Sequence, residues 1–260
     1  MDLELQGKRA LVTGASKGIG RAIAEVLAAE GCDLALASRG KESLDQLAET
    51  ITSRTNVSIT THAVDLSQSS EQQKLVSECS GINILVNNAG AIPAGEIDEF
   101  EEDAWRQAWD LKVFGYINLC RAFFSEMKHR NEGVIVNVIG TSGQRMNPMY
   151  IGGSAGNASL MALSRALGSR STDFGVRVVA VNPGLTATDR ARFMLQKWSE
   201  QKHGTPDRWE ELLVEMNLPF GRMGEPCEVA DLVAFVASPR GSYISGTVMT
   251  VDGGATDRNH

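Results

Sequence analysis

Residues 13–20 read TGASKGIG, a loop with glycines at positions 14, 18 and 20. The residues just before it, RALVT at 9–13, form a short apolar run of the kind found in buried strands. After the loop, apolar residues recur at the spacing of one helix face, at Ile19, Ile23, Val26 and Leu27. A strand, a glycine turn and a helix in this order predict the opening unit of an α/β fold.

The same alternation of apolar runs and helical patterns continues along the chain. Strands are predicted at 34–38, 57–64, 82–86, 133–139, 176–181 and 247–251, and helices at 42–53, 70–78, 103–129 and 155–171. Apolar strands separated by helices are typical of a parallel sheet covered on both faces. No linker rich in Pro or Ser and no internal repeat divides the sequence. We therefore predict a single α/β domain over residues 1–260, a Rossmann-type doubly wound parallel sheet.

One segment, residues 186–220, interrupts this rhythm. It is polar and aromatic by turns and too long for a simple connection, so we predict a lid over a substrate site. Flexible thioethers and flat rings here and at 146–149 suggest an apolar or aromatic pocket, although the same residues also suit a protein core. These residues are Met146, Met149, Phe193, Met194, Trp198 and Trp209.

Composition bounds the function. The 260 residues are enough for a sizeable core, and a 42% hydrophobic content excludes a disordered chain. A net charge of −7 argues against nucleic-acid or anionic-membrane partners and leaves a small-molecule substrate. The four cysteines and four histidines are dispersed, so we expect no metal site and a cytoplasmic location. The N-terminus shows neither a signal peptide nor a membrane anchor.

The glycine loop is the candidate phosphate site. Gly14 permits a sharp turn, Gly18 lets the backbone approach a pyrophosphate, and Gly20 lets the helix pack closely on the strand. The helix N-terminus then offers free N–H groups and a partial positive charge to phosphates. The alternative is a turn whose glycines serve packing alone. The predicted contacts with a dinucleotide are Gly14, Ser16, Lys17, Gly18, Ile19 and Gly20.

The end of the second predicted strand indicates which dinucleotide is bound. Enzymes that use NAD place an acidic residue there for the ribose 2′-hydroxyl, whereas this chain has Ser38 and Arg39, with Lys17 in the nearby loop. Guanidinium pairs with phosphate oxygens in a bidentate fork, so these cations favour a 2′-phosphate and hence NADP(H). The alternative is that both are ordinary surface charges.

Five motifs in the same order give the chain a resemblance to the short-chain dehydrogenase/reductase family along nearly its whole length. They are TGASKGIG at 13–20, Asp65-Leu66, Asn87-Asn88-Ala89-Gly90, Asn182-Pro183-Gly184 and Val251-Asp252-Gly253-Gly254. The resemblance implies interconversion of a carbonyl and an alcohol in a homo-oligomer, a tetramer or a dimer. It also implies that Asp65, beside Leu66, binds adenine, and that Asn88, Ala89 and Gly90 line the adenine ribose. The segment after Pro183 and Gly184, including Thr188, would hold the nicotinamide carboxamide.

The resemblance fails at the residues that perform the chemistry. The family uses an Asn, a Ser and a Tyr-x-x-x-Lys pair, in which Tyr exchanges the proton and Lys lowers its pKa. Counting back from SLMALSRALG at 159–168 places Gly153 at the Tyr position and Asn157 at the Lys position. The Ser position then holds Gly140, and the Asn position, in DLKVFGYINL, holds Lys112.

Relative to the family, the two positions have exchanged residue types: Lys112 stands at the Asn position and Asn157 at the Lys position, on two different predicted helices. A long Lys112 stem would still bring its charge near the nicotinamide ribose, with Asn157 bonding the ribose or a water. The alternative is neutral drift in a retired site. We predict that Tyr150 is the proton source and that a nearby cation lowers its pKa. The alternative is that Tyr150 is a lid residue that only packs on the substrate. Thr141 and Ser142 could replace the missing Ser hydroxyl, although neither is in its register.

These observations predict an NADPH-dependent oxidoreductase with an altered site, in which Lys112, Tyr150 and Asn157 are catalytic. The alternative is an inactive NADP(H)-binding sensor or scaffold that kept the fold. A third hypothesis, elimination or dehalogenation on the same fold, is weaker, because such departures generally disrupt the glycine loop and this one is intact.

Overall fold

A computed structural model describes residues 1–99 and 101–258. It contains a seven-stranded parallel sheet in the order β3-β2-β1-β4-β5-β6-β7, which confirms the predicted fold. The strands are β1 Arg9–Thr13, β2 Asp33–Ser38, β3 Ile59–Ala63, β4 Ile84–Asn87, β5 Gly133–Val138, β6 Val176–Pro183 and β7 Thr247–Val251.

Helices cover both faces of this sheet. They are α1 Gly18–Ala29, α2 Lys41–Thr52, α3 Ser69–Glu78, α4 Glu102–Trp109, α5 Gly115–Arg130, α6 Ile151–Ser171, α7 Asp189–His203, α8 Trp209–Glu215 and α9 Pro226–Ala237. Alternation along β1 divides the core between the faces. Val12 lies in one apolar cluster with Ile23 of α1 and Val233 of α9, whereas Leu11 lies in another with Phe123 of α5.

The strand order places a crevice at the carboxyl edge of the sheet. The chain passes from β1 through β2 to β3, and then returns to begin β4 on the other side of β1. Loops that leave β1 and β4 therefore diverge at this edge, which is where α/β folds bind their ligands. The loops after β1, β4, β5 and β6 carry most of the predicted site residues.

The structure corrects three predicted elements and adds a helix that was not predicted. The helix predicted at 103–129 is interrupted by a π-helical turn over Asp110–Phe114, closed by a bond from the Gly115 N–H to the Asp110 carbonyl. Helix α6 begins at Ile151 rather than at 155, and the strand predicted at 57–64 shortens to Ile59–Ala63. Helix α9 was missed, although Glu225 and Glu228 form a capping box around Pro226 at its start.

The segment 186–220 is more regular than its composition suggested. It forms α7 and α8, joined by a short 3₁₀ turn, instead of an irregular excursion. Thr188 caps the start of helix α7, and its hydroxyl accepts a bond from the N–H of Ala191. Within the part of the chain that the structure describes, none of the helices has the length and apolar character needed to cross a membrane.

Candidate active site

The glycine loop packs tightly against the loop that follows β4. Gly14 has a φ of +65°, and a β-carbon built on it would lie 2.9 Å from the Cα of Ala89. The Asn88 amide nitrogen donates to the Thr13 carbonyl at 3.0 Å, and the Thr13 hydroxyl accepts from the Asn88 N–H at 2.9 Å. A β-carbon on Gly20 would lie 2.2 Å from the Gly14 carbonyl oxygen. Predicted cofactor residues from two loops thus meet at the crevice.

The loop after β6 closes over the same region. A β-carbon built on Gly18, which has a φ of +57°, would lie 3.1 Å from the Cγ2 of Thr188. Gly184 follows the last residue of β6, Pro183, and a β-carbon on it would lie 2.6 Å from the Cβ of Asp252. The glycine loop therefore contacts Thr188, whereas Gly184 packs against Asp252 just after β7.

The carboxyl end of β2 carries unpartnered polar groups. The Ser38 hydroxyl oxygen is buried without a hydrogen-bond partner among the described residues. Arg39 and Lys17 are exposed, and neither forms an ion pair with a residue that the structure describes. Asp65 lies farther along the edge, where its carboxylate accepts bonds from the N–H and hydroxyl of Ser67.

Some predicted cofactor residues have side chains turned toward the protein. Leu66 is buried in the apolar cluster on one sheet face, and Ile19 packs against the cluster on the other. Ser16 is half-buried beside the exposed Lys17. The buried Leu66 side chain therefore leaves only backbone groups available to a ligand, whereas the Ile19 side chain is half-buried.

Lys112 is buried in the π-helical turn. Its ammonium donates to the Tyr116 hydroxyl at 2.9 Å, the Val138 carbonyl at 3.0 Å and the Ile139 carbonyl at 3.3 Å. Its stem crosses Gly90, where a built β-carbon would lie 2.3 Å from the Lys112 Cδ. Burial, and to a smaller extent the charge of Arg190, lowers the pKa of Lys112 to about 7.

Asn157 approaches the same strand end from α6. Its amide nitrogen lies 2.7 Å from the Ser142 hydroxyl oxygen and 3.4 Å from the Gly140 carbonyl oxygen. Its amide oxygen is buried with no hydrogen-bond partner among the described residues. Lys112 and Asn157 therefore hold the consecutive carbonyls 138, 139 and 140 of one short segment, from two elements that pack against each other.

Tyr150 lies at the start of α6. A β-carbon built on Gly153 would fall 1.9 Å from the Cε1 and 2.1 Å from the Cζ of Tyr150, so the ring fills the space of a side chain at position 153. Two backbone bonds to Gly95 hold this stretch, one from the Gly95 N–H to the Met149 carbonyl at 2.9 Å and one from the Ile151 N–H at 3.4 Å.

The expected fall in the pKa of Tyr150 is wrong. Burial raises its pKa above the ordinary value, and the positive charge of Arg190 offsets only part of that rise. The cation that acts on the hydroxyl is thus Arg190, which the sequence did not single out. At neutral pH the phenol keeps its proton.

Arg190 and Tyr116 are the residues that sequence reasoning missed. Arg190 lies in the first turn of α7 and donates to the carbonyls of Gly90 at 2.9 Å and Ile92 at 2.8 Å. Because helix α7 was not predicted, nothing in the sequence indicated that the Arg190 side chain reaches the loop after β4. Tyr116 is buried and donates to Val138 at 2.8 Å, and its position one turn after Lys112 was the available signal.

The residues proposed for an apolar pocket differ in exposure. Met146, Met149 and Phe193 are exposed, and the three others are half-buried. The guanidinium of Arg192 lies over the ring of Trp209, with 5.9 Å between the Arg192 Cζ and the ring centroid. The pocket stays a prediction.

Comparison with known proteins places this architecture in a family. A family model described as short chain dehydrogenase matches residues 8–199. The chain belongs to the short-chain dehydrogenase/reductase family. The match confirms the resemblance drawn from the five motifs.

Relatives that align with this short-chain dehydrogenase/reductase over nearly their whole length carry the names of oxidoreductases. Galactitol 2-dehydrogenase (L-tagatose-forming) of Cereibacter sphaeroides is 34% identical over 254 residues, which cover 97% of this chain and 96% of that protein. The names of such relatives support the prediction that the chain is an enzyme of the oxidoreductase class.

Solved structures share the fold of this short-chain dehydrogenase/reductase. L-sorbose reductase from Gluconobacter frateurii, complexed with NADPH and L-sorbose, superposes with a TM-score of 0.92 at 29% identity and full coverage of both chains. A 7α-hydroxysteroid dehydrogenase complexed with NADH and 7-oxo glycochenodeoxycholic acid gives 0.87 at 26% identity, covering 97% of this chain and 96% of that one. The structural neighbours thus include complexes with either nicotinamide cofactor.

Proposed function

We propose that this protein is an NADP(H)-dependent oxidoreductase that interconverts a carbonyl and an alcohol on a small apolar or aromatic substrate. Tyr150 exchanges the proton with the substrate oxygen. The observation that supports this most is the placement of the Tyr150 ring in the volume of a side chain at position 153. A phenol from three residues upstream stands in for the tyrosine that the family has at Gly153.

The crevice fits a dinucleotide that carries a 2′-phosphate. Ser38 offers a buried, unpartnered hydroxyl beside Arg39, and Lys17 adds a second cation without an ion-pair partner among the described residues. Toward the other end of the same sheet edge, the unpartnered amide oxygen of Asn157 suits a ribose hydroxyl. The glycine loop and residues 88–90, 183–184 and 188 would hold the remainder. NADPH, when bound, supplies the hydride.

The raised pKa of Tyr150 suits the reductive direction. Tyr150 would donate its phenolic proton to the carbonyl oxygen as the hydride of a bound NADPH reduced the carbonyl carbon, which would yield the alcohol and leave a tyrosinate. Arg190 stabilises that anion, because its charge lowers the Tyr150 pKa. In the oxidative direction the tyrosinate takes the proton back from the alcohol.

Lys112 and Asn157 support the site from two packed elements. Lys112 places its ammonium beneath Gly90 and fixes the end of β5 through two carbonyls. Asn157 fixes the following residue through the Gly140 carbonyl. Their exchange therefore keeps a donor from each of the two elements on the strand end, which favours a working altered site over a retired one.

Turnover distinguishes this proposal from an inactive NADP(H)-binding protein. We would measure NADPH oxidation over a panel of aliphatic and aromatic aldehydes and ketones, alongside fluorescence titration with NADPH and NADH. Stereospecific transfer of deuterium from labelled NADPH to a panel carbonyl supports the proposal. Tight NADPH binding with no transfer to any member favours a sensor or scaffold. The predicted dimer or tetramer is checked by sedimentation in the same buffer.

A further inference from the structure

A tight turn after β5 places Ser142 against helix α6. Gly140 has a φ of +133°, a backbone conformation that favours glycine, and the next three residues form the 3₁₀ turn Thr141–Gly143. A β-carbon built on Gly143 would lie 2.5 Å from the backbone nitrogen of Ala158 and 2.8 Å from the Cβ of Asn157. Only a glycine lets the turn sit this close to α6, and this contact brings Ser142 against Asn157.

The hydrogen bonds around Asn157 fix the direction in which Ser142 donates. The Gly140 carbonyl can only accept, so the Asn157 amide nitrogen must face the turn. That nitrogen also lies 2.7 Å from the Ser142 oxygen, which therefore accepts. The Ser142 hydroxyl proton is left for another acceptor, and none of the described residues takes it.

Asn157 is itself held rigidly. Its residue is 4% exposed, and it projects from the long helix α6. Ser142 is half-buried in the turn that follows β5, two residues after Gly140, which occupies the position where the family has its serine. A donor with a buried, fixed partner on one side and an open proton on the other is preorganised for a ligand oxygen.

We infer that the Ser142 hydroxyl is a further catalytic group, which donates a hydrogen bond to the substrate carbonyl oxygen while Asn157 fixes its direction. This inference rests on the proposed function. Ser142 keeps its proton throughout, and the proton that moves is that of Tyr150. Two donors on one oxygen stabilise the negative charge that develops there as the hydride arrives. The missing hydroxyl at Gly140 is thus supplied two residues later.

Ser142→Ala, Ser142→Thr and Thr141→Ala form a matched set. Thr141 is half-buried in the same turn, and no hydrogen bond of its hydroxyl joins it to Asn157, so it controls for disturbance of the turn. The readout is single-turnover hydride transfer from saturating NADPH to the panel carbonyl compound that the wild type reduces fastest. NADPH titration of each variant reports whether the crevice is intact.

Ser142→Ala is expected to slow hydride transfer by about 10²-fold or more, with an unchanged NADPH dissociation constant. Ser142→Thr should restore most of the rate, and Thr141→Ala should match the wild type. A Ser142→Ala rate equal to that of Thr141→Ala overturns the inference, as does a loss of rate that only follows weaker NADPH binding. An inactive wild type instead overturns the proposed function, and this inference with it.

Discussion

The ring of Tyr150 occupies the space that a side chain at position 153 would need, because a β-carbon on Gly153 falls 1.9 Å from the Tyr150 Cε1. The phenol of Tyr150 can therefore lie here only because residue 153 is a glycine. Two departures that look independent in the sequence, a glycine at 153 and a tyrosine at 150, are one packing arrangement.

Gly153→Ala tests this dependence. The added methyl group must displace the Tyr150 ring, so carbonyl reduction should fall by about 10-fold or more, as for other misplaced catalytic groups. NADPH binding and the helical circular dichroism signal should persist, because α6 gains a better helix former. Gly224→Ala is the control, since its β-carbon has 3.7 Å to the nearest neighbouring atom. Full activity in Gly153→Ala would contradict the proposed role of the ring position.

Arg39→Ala and Lys17→Ala test the choice of cofactor. Each removes a cation that we assign to the 2′-phosphate, so the NADPH dissociation constant should rise about 10- to 100-fold while that for NADH stays nearly constant. Lys41→Ala provides the control, because Lys41 already pairs with Asp45 at 2.8 Å. Fluorescence titration checks all three variants. Equal weakening of NADPH and NADH would show that these cations do not read the phosphate.

Lys112→Met tests the buried ammonium through the pH dependence of stability. The Lys112 pKa is about 7 in the folded protein and about 10.4 in an unfolded chain, so between these values the unfolded chain binds more protons. The contribution of Lys112 to stability therefore rises with pH across that window, by at most about 1.4 kcal/mol per pH unit. Urea unfolding from about pH 7 to about pH 10 should show a steeper rise in wild type than in Lys112→Met. Parallel curves would contradict the lowered pKa.

Arg190→Met tests the cation beside Tyr150. Removing the charge should raise the Tyr150 pKa further, so that alcohol oxidation needs a higher pH and carbonyl reduction persists to a higher pH. Arg190→Lys keeps the charge while losing the paired bonds to Gly90 and Ile92, and its pH profile should shift less. Arg192→Met, on the same helix, is the control. Identical profiles in all variants would remove Arg190 from the account.

Sequence patterns predicted the part of the structure that depends on local order. The glycine loop and the apolar strands define the sheet and crevice, because those features follow from periodicity and turn chemistry. The π-helical turn around Lys112 was not predictable, since one shifted hydrogen bond changes no apolar spacing.

The side-chain contacts of the candidate site were only partly predictable. Tyr150 was named as the proton source, but its fit into the space above Gly153 depends on the path of the backbone through Gly95. The contact of Ser142 with Asn157 depends on Gly143 meeting α6, which joins residues far apart in the sequence pattern. Arg190 lies on a helix hidden by polar composition.

Tyr150→Phe tests the central claim most directly, because it removes the hydroxyl and keeps the ring above Gly153. The measurement is single-turnover transfer of deuterium from labelled NADPH to the best panel carbonyl, with Tyr243→Phe, a fully exposed tyrosine, as the control. The account predicts a loss of about 10²- to 10⁴-fold in Tyr150→Phe, with unchanged NADPH binding and a wild-type rate in Tyr243→Phe. Transfer at the wild-type rate in Tyr150→Phe would contradict it.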